Sequence, residues 1–153
     1  MHERFKVHLQ MQTPLKIAVD FDGTIVEHKY PEIGKEILFA FDTLKALQKQ
    51  KHQLILWTYR SGKELDEAVE YCRQNGIDFY AINASYPEEE FDEDFSSRKI
   101  EADIFIDDRN IGGLPSWGEI YQMINPHESP SLEAELNSLP KKKRSLFSRK
   151  SGR

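Results

Sequence analysis

At 153 residues with 39% hydrophobic side chains, the chain has the size of one domain and enough apolar material for a real core. No apolar stretch approaches the roughly 20 residues needed to cross a bilayer as a helix. A single cysteine, Cys72, rules out an internal disulfide and suits a reducing, cytoplasmic setting.

Residues 1–13 are mixed polar and charged, lack the apolar run of a secretory leader, and read as an N-terminal extension. A domain is expected over residues 14–128. It opens with the apolar run Leu15-Lys16-Ile17-Ala18-Val19, which leads straight into Asp20-Phe21-Asp22-Gly23-Thr24. β-branched residues favour a strand, and Gly23 lets the chain leave it sharply. Side chains at i and i+2 share a strand face, so Asp20 and Asp22 start on one side. Adjacent carboxylates repel unless a cation or proton lies between them, which points to a hard oxygen-binding ion such as Mg²⁺. Residues 35–50 carry Ile37, Phe41, Leu44 and Leu47 near helical spacing. Leu54-Ile55-Leu56-Trp57-Thr58 is a second apolar run with a hydroxyl at its end, followed by Tyr59-Arg60-Ser61-Gly62. Residues 63–75 repeat the helical pattern with Leu65, Val69 and Cys72, which is read as core. Ser61 and Glu64 have capping-box spacing, and Gly76 supplies a stop. Residues 77–82 are expected to form a strand. So is Ile104-Phe105-Ile106-Asp107-Asp108, and a short last strand is expected over residues 119–124. Strands alternating with helices predict an α/β protein with a parallel sheet. In such a sheet ligands gather at the carboxyl ends of the strands, where all three polar tips converge.

Over residues 15–124 the chain resembles the haloacid dehalogenase superfamily of phosphohydrolases. The resemblance rests on four motifs in order: Asp20-Phe21-Asp22-Gly23-Thr24, the strand-end Thr58, the lysine of Arg98-Lys99, and the apolar run closing in Asp107-Asp108. It is nearest to small capless members that share the FDGTIVEH and YP segments (residues 21–28 and 30–31) and FIDDRN with GGLP (residues 105–110 and 112–115). The resemblance implies a Rossmann-like three-layer sandwich around a central parallel sheet, without a cap domain. It also implies a Mg²⁺-dependent phosphatase acting through an aspartyl-phosphate. Asp20 would be the nucleophile and Asp22 the general acid and base. Thr58 and Lys99 would bind the phosphate, with Arg98 as the fallback cation. Asp20, Asp107, Asp108 and the main-chain carbonyl of Asp22 would hold the metal, Asp108 directly and Asp107 as a second ligand or through water. His28, Tyr30, Tyr59, Arg60 and Arg109 are candidate substrate contacts.

The gaps between motifs hold a flap (residues 25–34), helices, strands and one loop (residues 83–95), but no cap. Capless relatives tend to act on macromolecules or to close the site with a second subunit, so a homo-oligomer enters as one arrangement. Residues 88–94 carry six carboxylates, which form a solvated surface or, if the loop overhangs the site, would repel DNA or RNA; either reading lowers the expectation of a nucleic-acid substrate. The tail, residues 129–153, is basic and expected to be disordered. Its last thirteen residues hold seven basic groups and no acid, so removing them from the net charge of −5 leaves −12 on residues 1–140. A phosphorylated small molecule is therefore the expected substrate. A nucleic-acid 3′-phosphatase using the basic tail, and a non-catalytic binding domain of the same fold, are the alternatives.

Overall fold

A computed structural model describes residues 13–126. The chain separates into two compact units, Met1–Tyr121 and Gln122–Arg153, and the expected extension (residues 1–13) and tail (residues 129–153) lie almost wholly outside the described residues. The first unit is an α/β fold. Strands β1 (Lys16–Val19), β2 (Gln53–Leu56), β3 (Ala81–Ile82) and β4 (Ile104–Ile106) form one sheet in the order β3-β2-β1-β4, every pair parallel. Helices α1 (Ala40–Lys49) and α2 (Gly62–Gln74) follow β1 and β2, and α3 (Trp117–Ile124) follows β4. Among the described residues no helix is long and apolar enough to cross a membrane.

The two central strands read as continuous apolar runs because both faces of a parallel sheet are covered. Ile17, Val19, Ile55 and Leu56 are fully buried, as are Leu44 and Leu47 from α1 and Ala68 and Cys72 from α2. Burial pushes the Cys72 thiol up to about 12, consistent with an inert core residue.

Several element boundaries differ from expectation for identifiable reasons. Helix α1 starts at Ala40 rather than near residue 35 because Glu36 is already paired antiparallel with Val26, and Ile37 N–H donates to the Ile25 carbonyl at 2.9 Å. Strand β3 keeps only Ala81–Ile82 of the expected residues 77–82. Ile77 is taken by the end of α2, its N–H donating to the Cys72 carbonyl while Gly76 N–H donates to Arg73, both at 3.0 Å. That is a Schellman motif turning on Gly76 at φ 86°, so the expected glycine stop is present. Residues 119–124, expected as a strand, are helical in α3. The Ser116 and Glu119 side chains close a reciprocal capping box there, with Glu119 Oε2 accepting from Ser116 N–H at 2.9 Å and Ser116 Oγ accepting from Glu119 N–H at 3.3 Å. Ser61, with the same spacing to Glu64, makes no side-chain cap at α2.

The strand order positions the site. The chain runs outward from β1 to β2 and β3, then returns to the other side of β1 for β4. The direction of winding therefore reverses between β1 and β4, and the crevice for a ligand opens above their carboxyl ends.

A candidate active site at the strand tips

Register brings the carboxylates together. Val19 pairs with Ile106, and Asp20 N–H donates to the Ile106 carbonyl at 3.0 Å, so Asp20 leaves β1 level with Asp107 leaving β4. Asp20, Asp107 and Asp108 each offer an oxygen, all within 4.8 Å of one another. Thr24, fully buried, joins the two strand ends: its hydroxyl donates to Asp20 Oδ2 and accepts from Asp108 N–H, each at 3.1 Å. The carbonyl of Thr24 is in turn held by the buried indole N–H of Trp117 at 2.9 Å.

This cluster is electrostatically uncomfortable on its own. Burial, with the neighbouring charges of Asp107 and Asp108, pushes the Asp20 carboxyl up to about 6, against hydrogen bonds from Phe21 N–H and the Thr24 hydroxyl. Asp108 Oδ2 is 2.9 Å from His28 Nε2, whereas its Oδ1 is buried without a hydrogen-bond partner among the described residues. Three carboxylates and an orphaned buried oxygen form a donor set that fits a hard divalent cation.

The turn after β1 is wound tightly enough to require glycine. The Phe21 carbonyl accepts from the N–H groups of Thr24, Ile25 and Val26, and Gly23 adopts φ 85°. A Cβ on Gly23 would collide with the His28 imidazole and the Asp108 carboxylate. From there the flap runs out and back, closed by Glu27 N–H donating to the Lys35 carbonyl at 2.8 Å.

Asp22 is held differently from Asp20. Its two oxygens accept from Arg60 Nε–H and Nη2–H, both at 2.7 Å. The same guanidinium donates to the flap carbonyls of Pro31 (2.9 Å) and Glu32 (2.8 Å), and lies 4.9 Å from the Phe21 ring centroid and 5.3 Å from that of Tyr30. Arg60 is buried, and Asp22 holds its pKa above the ordinary arginine value. Expected as a substrate contact, Arg60 is therefore committed to the protein: it orients Asp22 and ties down the flap. The Asp22 carboxylate lies outside the three-carboxylate cluster, which leaves only its main-chain carbonyl for the metal role expected of this residue.

Thr58 leaves β2 with its N–H donating to Asn83 Oδ1 at 2.8 Å, and its hydroxyl accepts from Arg60 N–H at 3.2 Å. The hydroxyl hydrogen remains available to a ligand. Asn83, which sequence reasoning did not single out, sits at φ 49°, a conformation that asparagine adopts more readily than most residues.

These groups line one open cleft of about 580 Å³. It is lined by Asp20, Asp22, Thr58 and Asp107 from the strand ends, and by His28, Tyr30, Trp57, Tyr59, Arg60 and Arg109. Lys99 does not line this cleft. It lies in an adjoining depression with Trp57, Asn83, Phe91 and Arg98, its Nζ 6.0 Å from the Phe105 ring centroid. The segment carrying Lys99 is not helical. Arg98 is turned to Glu93 at 3.6 Å.

A solved structure, that of a conserved protein coded by a locus from Bacteroides thetaiotaomicron, is 61% identical to this chain. The match covers 74% of this chain and 91% of that one, with a TM-score of 0.70. The chain belongs to the family of that protein. No family model matches the chain, and no curated protein matches it. The fold is thus shared within the family.

Proposed function

We propose that the chain is a Mg²⁺-dependent phosphatase of the haloacid dehalogenase type, hydrolysing the phosphate monoester of a small molecule through phospho-Asp20. The observation that carries this reading is the Asp20–Asp107–Asp108 cluster at the switch point of the sheet, with Asp108 Oδ1 buried and unpaired. These three side chains, with the main-chain carbonyl of Asp22, would hold the ion. Bound there, Mg²⁺ would screen the charge of an incoming phosphate and favour the ionised form of Asp20.

Asp20 attacks phosphorus, its carboxylate oriented by the Thr24 hydroxyl. Asp22 protonates the leaving oxygen and later takes a proton from the hydrolytic water. Each of its oxygens has accepting capacity beyond the Arg60 bond, so it can face the cleft from within that clamp. Thr58 donates its free hydroxyl hydrogen to a phosphate oxygen. Lys99 supplies the mobile cation: it has no ion pair among the described residues, whereas Arg98 is engaged by Glu93. The exposed acidic segment, residues 88–94, favours a small substrate over a polynucleotide. A cytoplasmic location belongs to the same proposal, supported by the single free cysteine.

The test is phosphate release from a panel of sugar, nucleotide, amino-acid and aryl phosphates and a 3′-phosphorylated oligonucleotide, with Mg²⁺ and with chelator. Release by wild type alone, abolished by chelator and by Asp20→Asn, is the expected result. Silence across the panel from a protein whose thermal stability nonetheless rises with Mg²⁺ would leave a binding domain and sink the catalytic proposal.

A further inference from the structure

We propose that the cleft is built for a phosphate ester whose leaving group carries a flat, uncharged aromatic ring, held by Tyr30, Trp57 and Tyr59. The proposal rests on the phosphatase reading for the phosphate end of the cleft only.

The three rings line the same cleft as the Asp20, Asp22 and Asp107 carboxylates and Thr58. They come from separate segments, Tyr30 from the flap and the other two from the end of β2. Core packing does not account for them. Tyr59 is 99% exposed and Tyr30 58% exposed, so Tyr59 buries no surface in this state. Trp57 is partly buried against Ala18, Ile55, Ala81 and Ile100 and also lines the cleft. Aromatic side chains lining one concavity are what a flat ring needs, because stacking and apolar burial reward a π-face and give little to a polyhydroxylated chain.

Charge selects in the same direction. Arg60 lines the cleft, but its guanidinium is spent on Asp22, Pro31 and Glu32. Arg109 is then the single cation of the lining left for a ligand, so a leaving group bearing a further phosphate would meet the carboxylates with little compensation. A cleft of about 580 Å³ holds a phosphate, a linker and one or two rings.

The experiment separates ring binding from catalysis by using phosphate-free probes on metal-free, full-length protein. The chain has two tryptophans. Trp117 is 1% exposed with its N–H bonded to Thr24, so fluorescence quenching by a ligand in the cleft reports Trp57. Adenosine, 4-methylphenol and ribose are titrated against wild type, Tyr59→Ala and Tyr59→Phe. Saturable quenching by adenosine or by 4-methylphenol, none by ribose, and affinity weakened about fivefold or more in Tyr59→Ala but kept in Tyr59→Phe would support the proposal. Which of the two aromatic probes binds then distinguishes a nucleoside from an aryl alcohol. No quenching by either, or binding by Tyr59→Ala equal to wild type, would overturn it. Tyr59 makes no core contact, so its loss does not threaten folding. Quenching without phosphatase activity on any substrate would retain the ring site and reject the catalytic proposal; phosphate release without ring binding would do the reverse.

Discussion

Replacing Asp20 by Asn should make the metal-free protein more stable, and the gain should depend on pH. Burial and the charges of Asp107 and Asp108 move the Asp20 carboxyl from 3.8 to about 6. A carboxyl whose pKa is higher in the folded than in the unfolded chain takes up a proton on folding between those values. Stability therefore falls as pH rises through the window from 3.8 to about 6, and the penalty is complete above it. At about 1.4 kcal/mol per pH unit the displacement corresponds to about 3 kcal/mol. Asp20 is partly open to the cleft, and solvent screening reduces this to about 1–2 kcal/mol. Asn keeps the shape and can still accept from the Thr24 hydroxyl. The melting temperature at pH 8 in chelator should rise by about 3–8 °C, and the difference should close near pH 4. Mg²⁺ should raise the wild-type melting temperature more than that of the variant. Equal stability of the two proteins at pH 8, or the same increment at pH 4 and pH 8, would refute the electrostatic account.

Arg60→Gln should destabilise the fold by about 3 kcal/mol in urea titration, since it leaves Asp22 and two flap carbonyls without their donor; Arg60→Lys should recover little, a single ammonium being unable to match the fork. Hydrogen exchange in the flap should quicken in both variants. Thr24→Val removes the hydroxyl between Asp20 and Asp108 and should cost about 1–3 kcal/mol, with weaker Mg²⁺ binding by calorimetry, and Thr24→Ser should restore most of both. Thr58→Ala and Lys99→Ala should each lower kcat on the order of 10²–10³-fold with little change in folding. A Lys99→Ala enzyme as fast as wild type would remove Lys99 from the phosphate site.

What was legible in the sequence follows from which forces act locally. The tips of β1 and β2 stood out because a central parallel strand is buried on both faces, so the first polar residue after each apolar run marks its end; β4, at the sheet edge with Phe105 partly exposed, showed the same apolar run. The same logic overshot at β3, where the apolar Ile77 is buried by the end of α2 rather than by the sheet. Helix α3 was misread because its eight residues are too short to display a period, although Ser116 and Glu119 carried the capping signal. At the site, the three clustered carboxylates were readable from strand ends alone. The clamp on Asp22 was not: it joins residues 38 apart, and no local pattern distinguishes an arginine facing substrate from one buried under a flap. Thr24 was visible as part of a motif, but its bond to the Asp108 amide depends on the β1–β4 pairing. Lys99 missed the cleft because it lies in an irregular segment, where spacing does not define direction.

The contacts from Arg60 to the flap end on the main-chain oxygens of residues 31 and 32 rather than on side chains. A carbonyl is the same chemical group whatever residue carries it, so the tether is indifferent to most substitutions along the flap. His28 and Tyr30 can be exchanged for other side chains while the loop stays anchored to Asp22 through one guanidinium. The fold thereby separates the anchor of the loop from the side chains the loop presents. Within this family, ligand preference is expected to diverge first in the flap's side chains, over an anchor that does not change.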